Sequence, residues 1–399
     1  MTMGPGTEVW EKFGHDAIWV HDALAGTDWV YNYGMFDFNQ EHFFSNFILG
    51  TMWYWMAADL DAAYTLQLYR EDHRSVWVQE LNLTPRQRAD LRDFLVCNQM
   101  PKNRFYHYDY YLDNCTTRVR DALDRVLDGQ LKAQTQDVPT HSTYRTHTRR
   151  AMSGDPLLYT ALEFILGRPV DRPLSAWQEM FLPLQMRDHI RRVKVRDEQG
   201  NLVPLVKTDI TLYQGSDGGV PDRPPTWWPW YLLIGLAGGG VFAWLGTRTP
   251  AARRWRVLFG ILAVPWTFLL GAAGCFLLWG ELFTNHVAIY HNENLLHFSP
   301  LALPLVILIP WALRGKPWAA RAARWLAAAV LLIGLAGLLL KILPSFYQSN
   351  WDMIAWTLPT NLGLAWGVWR MRGKKCRVAV ADDGAPPADR APLRPGYQS

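Results

Sequence analysis

The chain has 399 residues, more than one ordinary domain needs, and a formal net charge of only +4, which gives no reason to expect nucleic-acid binding. Its composition changes along its length. The first part is polar and holds nearly all of the acidic residues, whereas the second part consists of long runs of Leu, Ala, Gly and Trp. The sequence therefore predicts a globular domain followed by a membrane domain.

The polar part shows strand and helix patterns in mixed order. Strands are predicted at residues 17–20, 30–38, 64–69, 76–81 and 203–213. Helical spacing marks residues 43–56 and 157–166, and Thr84-Pro85 caps a helix over 86–96. Residues 130–155 are polar, which predicts loops. No internal repeat is evident, and the fold class indicated is α+β.

One segment, residues 104–121, concentrates the groups that can carry chemistry. Its first half alternates aromatic and polar residues and is typical of a strand, while its second half is helical, with Val119, Leu123, Val126 and Leu127 on one stripe. Asn114 is a good N-cap, which makes Cys115 the first helical residue. The free N–H groups and positive dipole end there favour a thiolate, so Cys115 is a candidate nucleophile. The alternatives are a buried structural thiol and a disulfide with Cys97.

A nucleophilic thiol needs a base within reach and a third group to orient that base. Of the eight histidines in this part, His15 ranks first because it follows Gly14 at the start of a buried strand. His107, on the strand before Cys115, is the second choice. Asp16, Tyr106 and Tyr108 are the candidates for orienting His15. No His, Cys and carboxylate spacing resembles a zinc site, so neither a metal nor another cofactor is expected.

Five membrane spans are predicted, at residues 229–245, 257–278, 301–313, 325–342 and 354–369. The first, second and fourth have the length of a full crossing, whereas Pro304 and Pro310 interrupt the third and the fifth is short. Lys and Arg fill the first and third connections and follow the last span, but the other two connections lack them. The positive-inside rule thus places the basic segments in the cytoplasm and everything before residue 227 outside.

The predicted domain boundaries follow from this topology. Residues 1–220 form the external domain, 221–228 a linker, 229–371 the all-α transmembrane domain and 372–399 a disordered cytoplasmic tail. An external domain needs an export signal, and the first six residues do not provide one. We therefore expect a start downstream of the natural one, or a signal sequence that has been removed.

Three ordered blocks resemble the signature of the Lnb-type lipoprotein N-acyltransferases, formerly an uncharacterised bacterial membrane family. The blocks are Phe13-Gly14-His15-Asp16-Ala17, Tyr31-Asn32-Tyr33-Gly34-x-Phe36-Asp37-Phe38 and Tyr106-x-Tyr108-x-Tyr110-x-x-Asp113-Asn114-Cys115-x-Thr117-Arg118-x-Arg120-Asp121. A fourth block, in the membrane half, is Leu282-Phe283-Thr284-Asn285-His286 with Asn292-Glu293-Asn294-Leu295-Leu296. The Asn-Cys pair at a helix start is also similar to the permuted lecithin:retinol acyltransferase group.

The resemblance implies a circularly permuted papain-like domain in the periplasm, anchored in the bacterial inner (cytoplasmic) membrane. It implies Cys115 as the nucleophile and His15 as the base. The implied reaction moves an acyl chain from a phospholipid to the N-terminal diacylglyceryl-cysteine of a lipoprotein, through a Cys thioester. The partners would be the lipid bilayer, the phospholipid donor and the lipoprotein acceptor.

Further residues follow from the physical demands of this reaction. Backbone N–H groups at the helix start, next to Asn114, would stabilise an oxyanion. His286 and Asn294 lie on an outer connection and are either contacts to the lipid head group or thiol site, or parts of an ordinary loop. Two other functions stay open: a periplasmic thiol peptidase or amidase acting on cell-wall peptides, and a non-catalytic membrane scaffold whose Cys is structural, to which a Cys97–Cys115 bridge would point.

Overall fold

A computed structural model describes residues 1–216 and 219–371, so the predicted tail from 372 onward lies outside the described residues. An N-terminal region built on a β-sheet precedes a helical C-terminal region. The strands are β1 (Thr2–Met3), β2 (His15–Asp22), β3 (Thr27–Met35), β4 (Trp53–Asp61), β5 (Val76–Leu81), β6 (Phe105–His107), β7 (Pro139–Thr143), β8 (Pro173–Ser175), β9 (Lys194–Arg196), β10 (Leu202–Pro204) and β11 (Val206–Tyr213).

The helices of the N-terminal region are α1 (Phe43–Leu49), α2 (Ala62–Glu71), α3 (Pro85–Gln99), α4 (Cys115–Val126), α5 (Gln130–Thr135), α6 (Tyr144–Ala151), α7 (Pro156–Ile165), α8 (Ala176–Glu179) and α9 (Pro183–Ile190). Those of the C-terminal region are α10 (Trp228–Arg248), α11 (Arg253–Phe283), α12 (Leu305–Leu313), α13 (Pro317–Leu340) and α14 (Trp351–Arg370). The coarse prediction, a mixed α and β domain followed by helices, is confirmed.

The main sheet has seven strands in the order β11-β5-β1-β2-β3-β4-β6, and its neighbouring strands are antiparallel. Helices α3 and α4 contribute Leu95 and Leu123 to a core with Ile18, Tyr33 and Tyr54 of the sheet. A second cluster joins α2 to the sheet through Met3, Val30, Ala62 and Val76. Apolar burial on both sides of the sheet fixes strand register, because a slip by one residue would exchange the two faces.

Local start signals located two helices correctly. Thr84 caps α3 in a capping box with Gln87, and Pro85 occupies the first helical position. Helix α4 begins at Cys115 with Asn114 as its N-cap, as predicted. The predicted stripe on α4 is also confirmed, because Val119, Leu123, Val126 and Leu127 are all buried.

Three local predictions are wrong. Residues 64–69 lie in helix α2 and not in a strand, because the Asp61 side chain accepts a hydrogen bond from the Tyr64 N–H and starts a helix. The apolar run 43–56 is divided at Gly50, whose φ of 71° ends α1 before β4 begins. Residues 130–155 are not loop-rich: they include α5, β7 and α6.

The C-terminal region contains three described helices, α10, α11 and α13, that are long and apolar enough to cross a membrane. A bent pair of segments, Val287–Leu296 with Pro300–Leu313, would make a fourth. Helix α14 packs closely along α10, where Gly239 faces Gly363 and any side chain would collide with the opposite backbone. The predicted number of five spans and the predicted orientation stay predictions.

Candidate active site

The start of α4 is held by its N-cap residue. The Asn114 Oδ1 accepts the Thr117 N–H at 2.9 Å, and the Asn114 N–H donates to Thr117 Oγ1 at 2.7 Å. The Asn114 Nδ2 donates to the Tyr110 and Phe181 carbonyls at 2.9 and 3.0 Å. Because both ends of this amide are in use inside the protein, Asn114 positions the helix that carries Cys115.

Cys115 lies between this helix start and strands β2 and β3. Its side chain is buried and unpaired, and Cys97, which is exposed, is also a free thiol. The backbone N–H of Asp16 donates toward the Cys115 sulfur, and Thr116 Oγ1 lies 3.8 Å from it. Strand β3 approaches through Gly34, where an added Cβ would stand 3.4 Å from the Cys115 Cβ. The thiol is therefore enclosed by backbone on two sides.

The protonation state of Cys115 differs from the one that the helix dipole favours. Burial raises the pKa of the thiol, and the neighbouring Asp16 carboxylate raises it further, while the N–H groups of Asp16 and Thr116 lower it. Desolvation of a thiolate outweighs the donors at the helix start. The resting group is a protonated thiol, which needs a base to become a nucleophile.

His15 is the first residue of strand β2 and lies close to Cys115 through the pairing of β2 with β3. The register that pairs Ala17 with Asn32 brings His15, two residues earlier, level with Gly34 beside Cys115. His15 Nε2 lies 3.1 Å from Asn32 Oδ1. The Asn32 Nδ2 donates to the Val30 carbonyl at 3.3 Å, so Oδ1 faces His15 and Nε2 carries the proton of that bond. This leaves the Nδ1 lone pair as the basic atom.

The imidazole of His15 is in the neutral form that a general base needs. Burial lowers the pKa of its imidazole, although the bond to Asn32 and the Asp16 carboxylate oppose this shift. The ring is consequently neutral at pH 7 and able to accept a proton. Among the described contacts, no hydrogen bond joins His15 to the Cys115 sulfur, so a proton transfer between them would require the two side chains to move closer together.

Asn32 is the residue that sequence reasoning missed. Asp16, Tyr106 and Tyr108 were the predicted orienting residues, but the hydrogen bond to His15 comes from Asn32. A signal for it was present, because Asn32 is a polar residue between two tyrosines in a strand otherwise typical of a buried one, and its side chain is buried.

Asp16 and the two tyrosines have other places in the site. The Asp16 carboxyl is buried, and burial raises its pKa to about 6. Tyr108 stacks on Tyr54 with ring centroids 4.2 Å apart, and its ring edge lies 3.4 Å from a Cβ placed on Gly34. Arg118 covers the ring of Tyr106 at 3.9 Å. Burial raises the pKa of Tyr106 and Tyr108, so both stay neutral, and Tyr108 lies with Cys115 against Gly34.

The remaining predicted residues lie elsewhere. His107 is exposed and lies against Trp53 with ring centroids 3.9 Å apart, while its neighbour Tyr106 is buried, so the second choice of base faces away from the core. His286 Nε2 bonds to the Phe47 carbonyl at 2.9 Å and joins α1 to the membrane region. Asn294 is fully buried, and its Nδ2 donates to the Glu163 and Phe164 carbonyls at 2.9 Å each. The described contacts bring neither His286 nor Asn294 to Cys115.

The charge of Asp16 gives a testable prediction. We expect Asp16→Asn to speed alkylation of Cys115 by iodoacetamide at pH 7.5, because a buried negative charge next to the sulfur is removed and the thiol pKa falls. The difference from wild type should shrink as the pH falls through about 6, where Asp16 itself becomes protonated. Mass spectrometry of the Cys115 peptide measures the rate, with Asp28→Asn on the same hairpin as the matched control. Equal rates at pH 7.5 would contradict the assignment.

The fold and the site together define a class: a mixed α/β domain with a buried thiol at a helix start, joined to helices long enough to cross a membrane. Residues 1–150 match the family model described as the Lnb N-terminal periplasmic domain, which confirms over this part of the chain the resemblance that its motifs predicted. No curated protein and no solved structure matches the chain. The N-terminal domain is accordingly periplasmic, and the protein is one of the inner membrane.

Proposed function

We propose that this protein is a lipoprotein N-acyltransferase that works through a thioester on Cys115. One observation carries the proposal: Cys115 opens helix α4 against the strand that begins with His15, and Asn32 holds that imidazole with its Nδ1 free. This Cys, His and Asn set, with His before Cys in the chain, has the composition of a permuted papain-like thiol site. The fold of the domain as papain-like is part of the same proposal.

The first half-reaction would acylate the enzyme. His15 Nδ1 takes the thiol proton while the Cys115 sulfur attacks an ester carbonyl of a phospholipid. The resulting oxyanion would be stabilised by N–H groups at the start of α4. Collapse of the tetrahedral intermediate breaks the ester C–O bond, His15 returns the proton to the leaving alkoxide, and lysophospholipid departs.

The second half-reaction would transfer the acyl chain. The α-amine of a diacylglyceryl-cysteine attacks the thioester carbonyl, and His15 accepts the proton that the amine loses as the amide forms. The C–S bond breaks, and Cys115 leaves as a thiolate that takes this proton back. Both substrates are lipids, so a domain joined to membrane helices meets them at the surface where they reside.

The enclosure of the thiol favours transfer over hydrolysis. Only 8% of the Cys115 surface is exposed, and the ring of Tyr108 lies beside it against Gly34. A thioester formed there is shielded from water, which is the competing nucleophile. A Cys97–Cys115 bridge would have supported the scaffold alternative, but both thiols are free. A thiol amidase would use the same pair of residues, so an experiment has to distinguish amide hydrolysis from acyl transfer.

The test is the intact mass of a purified model lipoprotein from cells in which this protein is the sole candidate acyltransferase. We expect an added acyl chain on the N-terminal cysteine with wild type and none with Cys115→Ala, although both proteins accumulate in the membrane. An acyl chain that persists with Cys115→Ala would overturn the thioester. If neither sample carries an added chain, acyl transfer is contradicted and hydrolysis of cell-wall amides becomes the favoured function. Cell-wall peptides are then the next substrates to test.

A further inference from the structure

Helix α1 presents an apolar surface with no covering element among the described residues. Phe43 is its one buried residue, while Phe44, Phe47, Ile48 and Leu49 are 73, 43, 51 and 37% exposed. No charged residue occurs between positions 43 and 56. A cluster of large apolar side chains on one short helix is far from the scattered exposure that soluble surfaces tolerate, and it marks an interaction site.

This surface is fastened to the end of a membrane helix. The Asn285 N–H donates to the Leu49 carbonyl at 2.8 Å, and His286 Nε2 bonds to the Phe47 carbonyl at 2.9 Å. Both residues closely follow α11, whose last residues Leu282 and Phe283 are 63 and 65% exposed. Helix α11 has 31 residues and is about 46 Å long at 1.5 Å per residue, so it reaches beyond a hydrocarbon core of about 30 Å. The exposed apolar side chains of α1 thus lie close to the exposed apolar end of α11.

A row of aromatic rings leads inward from α1 to the thiol. Ring centroids are separated by 6.4 Å from Phe43 to Phe36, by 5.3 Å from Phe36 to Tyr54 and by 4.2 Å from Tyr54 to Tyr108. Tyr108 in turn lies against Gly34 beside Cys115. Apolar surface therefore extends along uncharged side chains from the outside of α1 to the reactive sulfur.

We propose that α1 lies in the outer leaflet and admits the acyl chain of an outer-leaflet phospholipid along this aromatic row to Cys115. The occupant is lipid because the surface is uncharged, aromatic and close to the exposed apolar end of α11. The entry role rests on the proposed acyl transfer. The position of α1 in the membrane does not, and it is tested separately.

The first experiment measures depth in the membrane. A spin label is attached to Phe44→Cys in the full chain with its four native cysteines replaced, in vesicles of phosphatidylethanolamine and phosphatidylglycerol. Power saturation should show more contact with oxygen than with a water-soluble nickel chelate. Leu24→Cys, fully exposed at the tip of the β2–β3 hairpin away from α1, should show the reverse. A Phe44 label as accessible to nickel as the Leu24 label would overturn the membrane position.

The second experiment tests entry of the acyl chain. The double variant Phe44→Asp, Ile48→Asp should lose roughly ten-fold or more in the rate of lipoprotein acylation from vesicle phospholipid, which corresponds to about 1.4 kcal/mol of lost apolar contact. Its acylation on Cys115 by a water-soluble short-chain ester should match wild type, which also shows that the domain is folded. Leu24→Asp should leave both rates unchanged.

The outcomes separate the two proposals. A double variant with the full phospholipid rate would overturn entry through α1 while leaving acyl transfer intact. Loss of both rates would overturn it as well, because the defect would then lie in the thiol site or the fold. A wild-type Cys115 that no ester acylates would overturn the proposed function, and the entry role with it.

Discussion

Replacing His15 by Ala is expected to slow formation of the Cys115 acyl-enzyme by roughly 10²- to 10⁴-fold, the usual contribution of a positioned general base. The reason is that burial keeps Cys115 protonated, so attack on an ester cannot proceed from a thiolate already present. His15 is the imidazole at this end of the sheet, and Asn32 fixes which of its nitrogens is free. Rapid quenching followed by mass spectrometry of the Cys115 peptide measures the acylation rate.

The pH dependence of kcat/KM is expected to report the titration of His15. A base is active when deprotonated, so activity should fall as the pH falls through the pKa of His15, and burial places that pKa below 6.5. The acidic limb of kcat/KM should therefore lie below 6.5 and disappear in His15→Ala. His21→Ala is the matched control, because His21 is an exposed histidine of the same strand. If the acidic limb persists in His15→Ala, the limb reports the titration of another group and the prediction is wrong.

Replacing Arg145 by Met is expected to destabilise the folded protein by about 3–5 kcal/mol, the usual cost of leaving a buried charge without its partner. Arg145 is fully buried, and its Nε donates to both carboxylate oxygens of Asp171 at 2.9 and 3.0 Å. Its Nη2 donates to the Leu166 and Gly167 carbonyls at 2.9 and 3.1 Å. Methionine fills the volume but leaves the Asp171 carboxylate and two carbonyls without these donors.

Thermal unfolding of the detergent-solubilised protein tests this expectation. The matched control is Arg86→Met, because Arg86 is 92% exposed in its side chain and lies 3.7 Å from Asp90 in a surface pair. Such a change usually stays within about 0.5 kcal/mol. A similar small effect for both variants would show that Arg145 does not hold the residues after α7 in place.

The parts of the site that the sequence reveals are those set by neighbouring residues. The start of α4 depends on Asn114 and Thr117, three residues apart, and the pattern at Gly14-His15 marks the beginning of a buried strand. Cys115 and His15 can accordingly be selected from the sequence alone. Their pairing depends on the register of β2 with β3 and on the approach of Gly34, which no short segment contains.

The errors have the same physical origin. Residues 64–69 alternate apolar and polar side chains as a strand does, but the cap at Asp61 decides for a helix. A helix start favours a thiolate, yet the depth of Cys115 in the core decides its pKa. The sequence around Asn294 is typical of a loop, and the residue is fully buried because α7 packs against it. In each case a contact beyond the local pattern outweighed the signal.

The contacts of Asn292 and Asn294 have a mechanical consequence. Their Nδ2 groups donate hydrogen bonds to the backbone carbonyls of Glu163, Phe164 and Ile165. These carbonyls belong to the last turn of α7, where a helix has no N–H partners of its own to offer. The C-terminal helical region thereby supplies hydrogen-bond donors to the end of helix α7 of the N-terminal region, and we expect the two regions to move together. We therefore expect Cys115 to keep a constant distance from the membrane helices. Under the proposed function, a substrate would then be selected first by the length of the tether between its lipid anchor and its reactive group, before any contact recognises its chemistry.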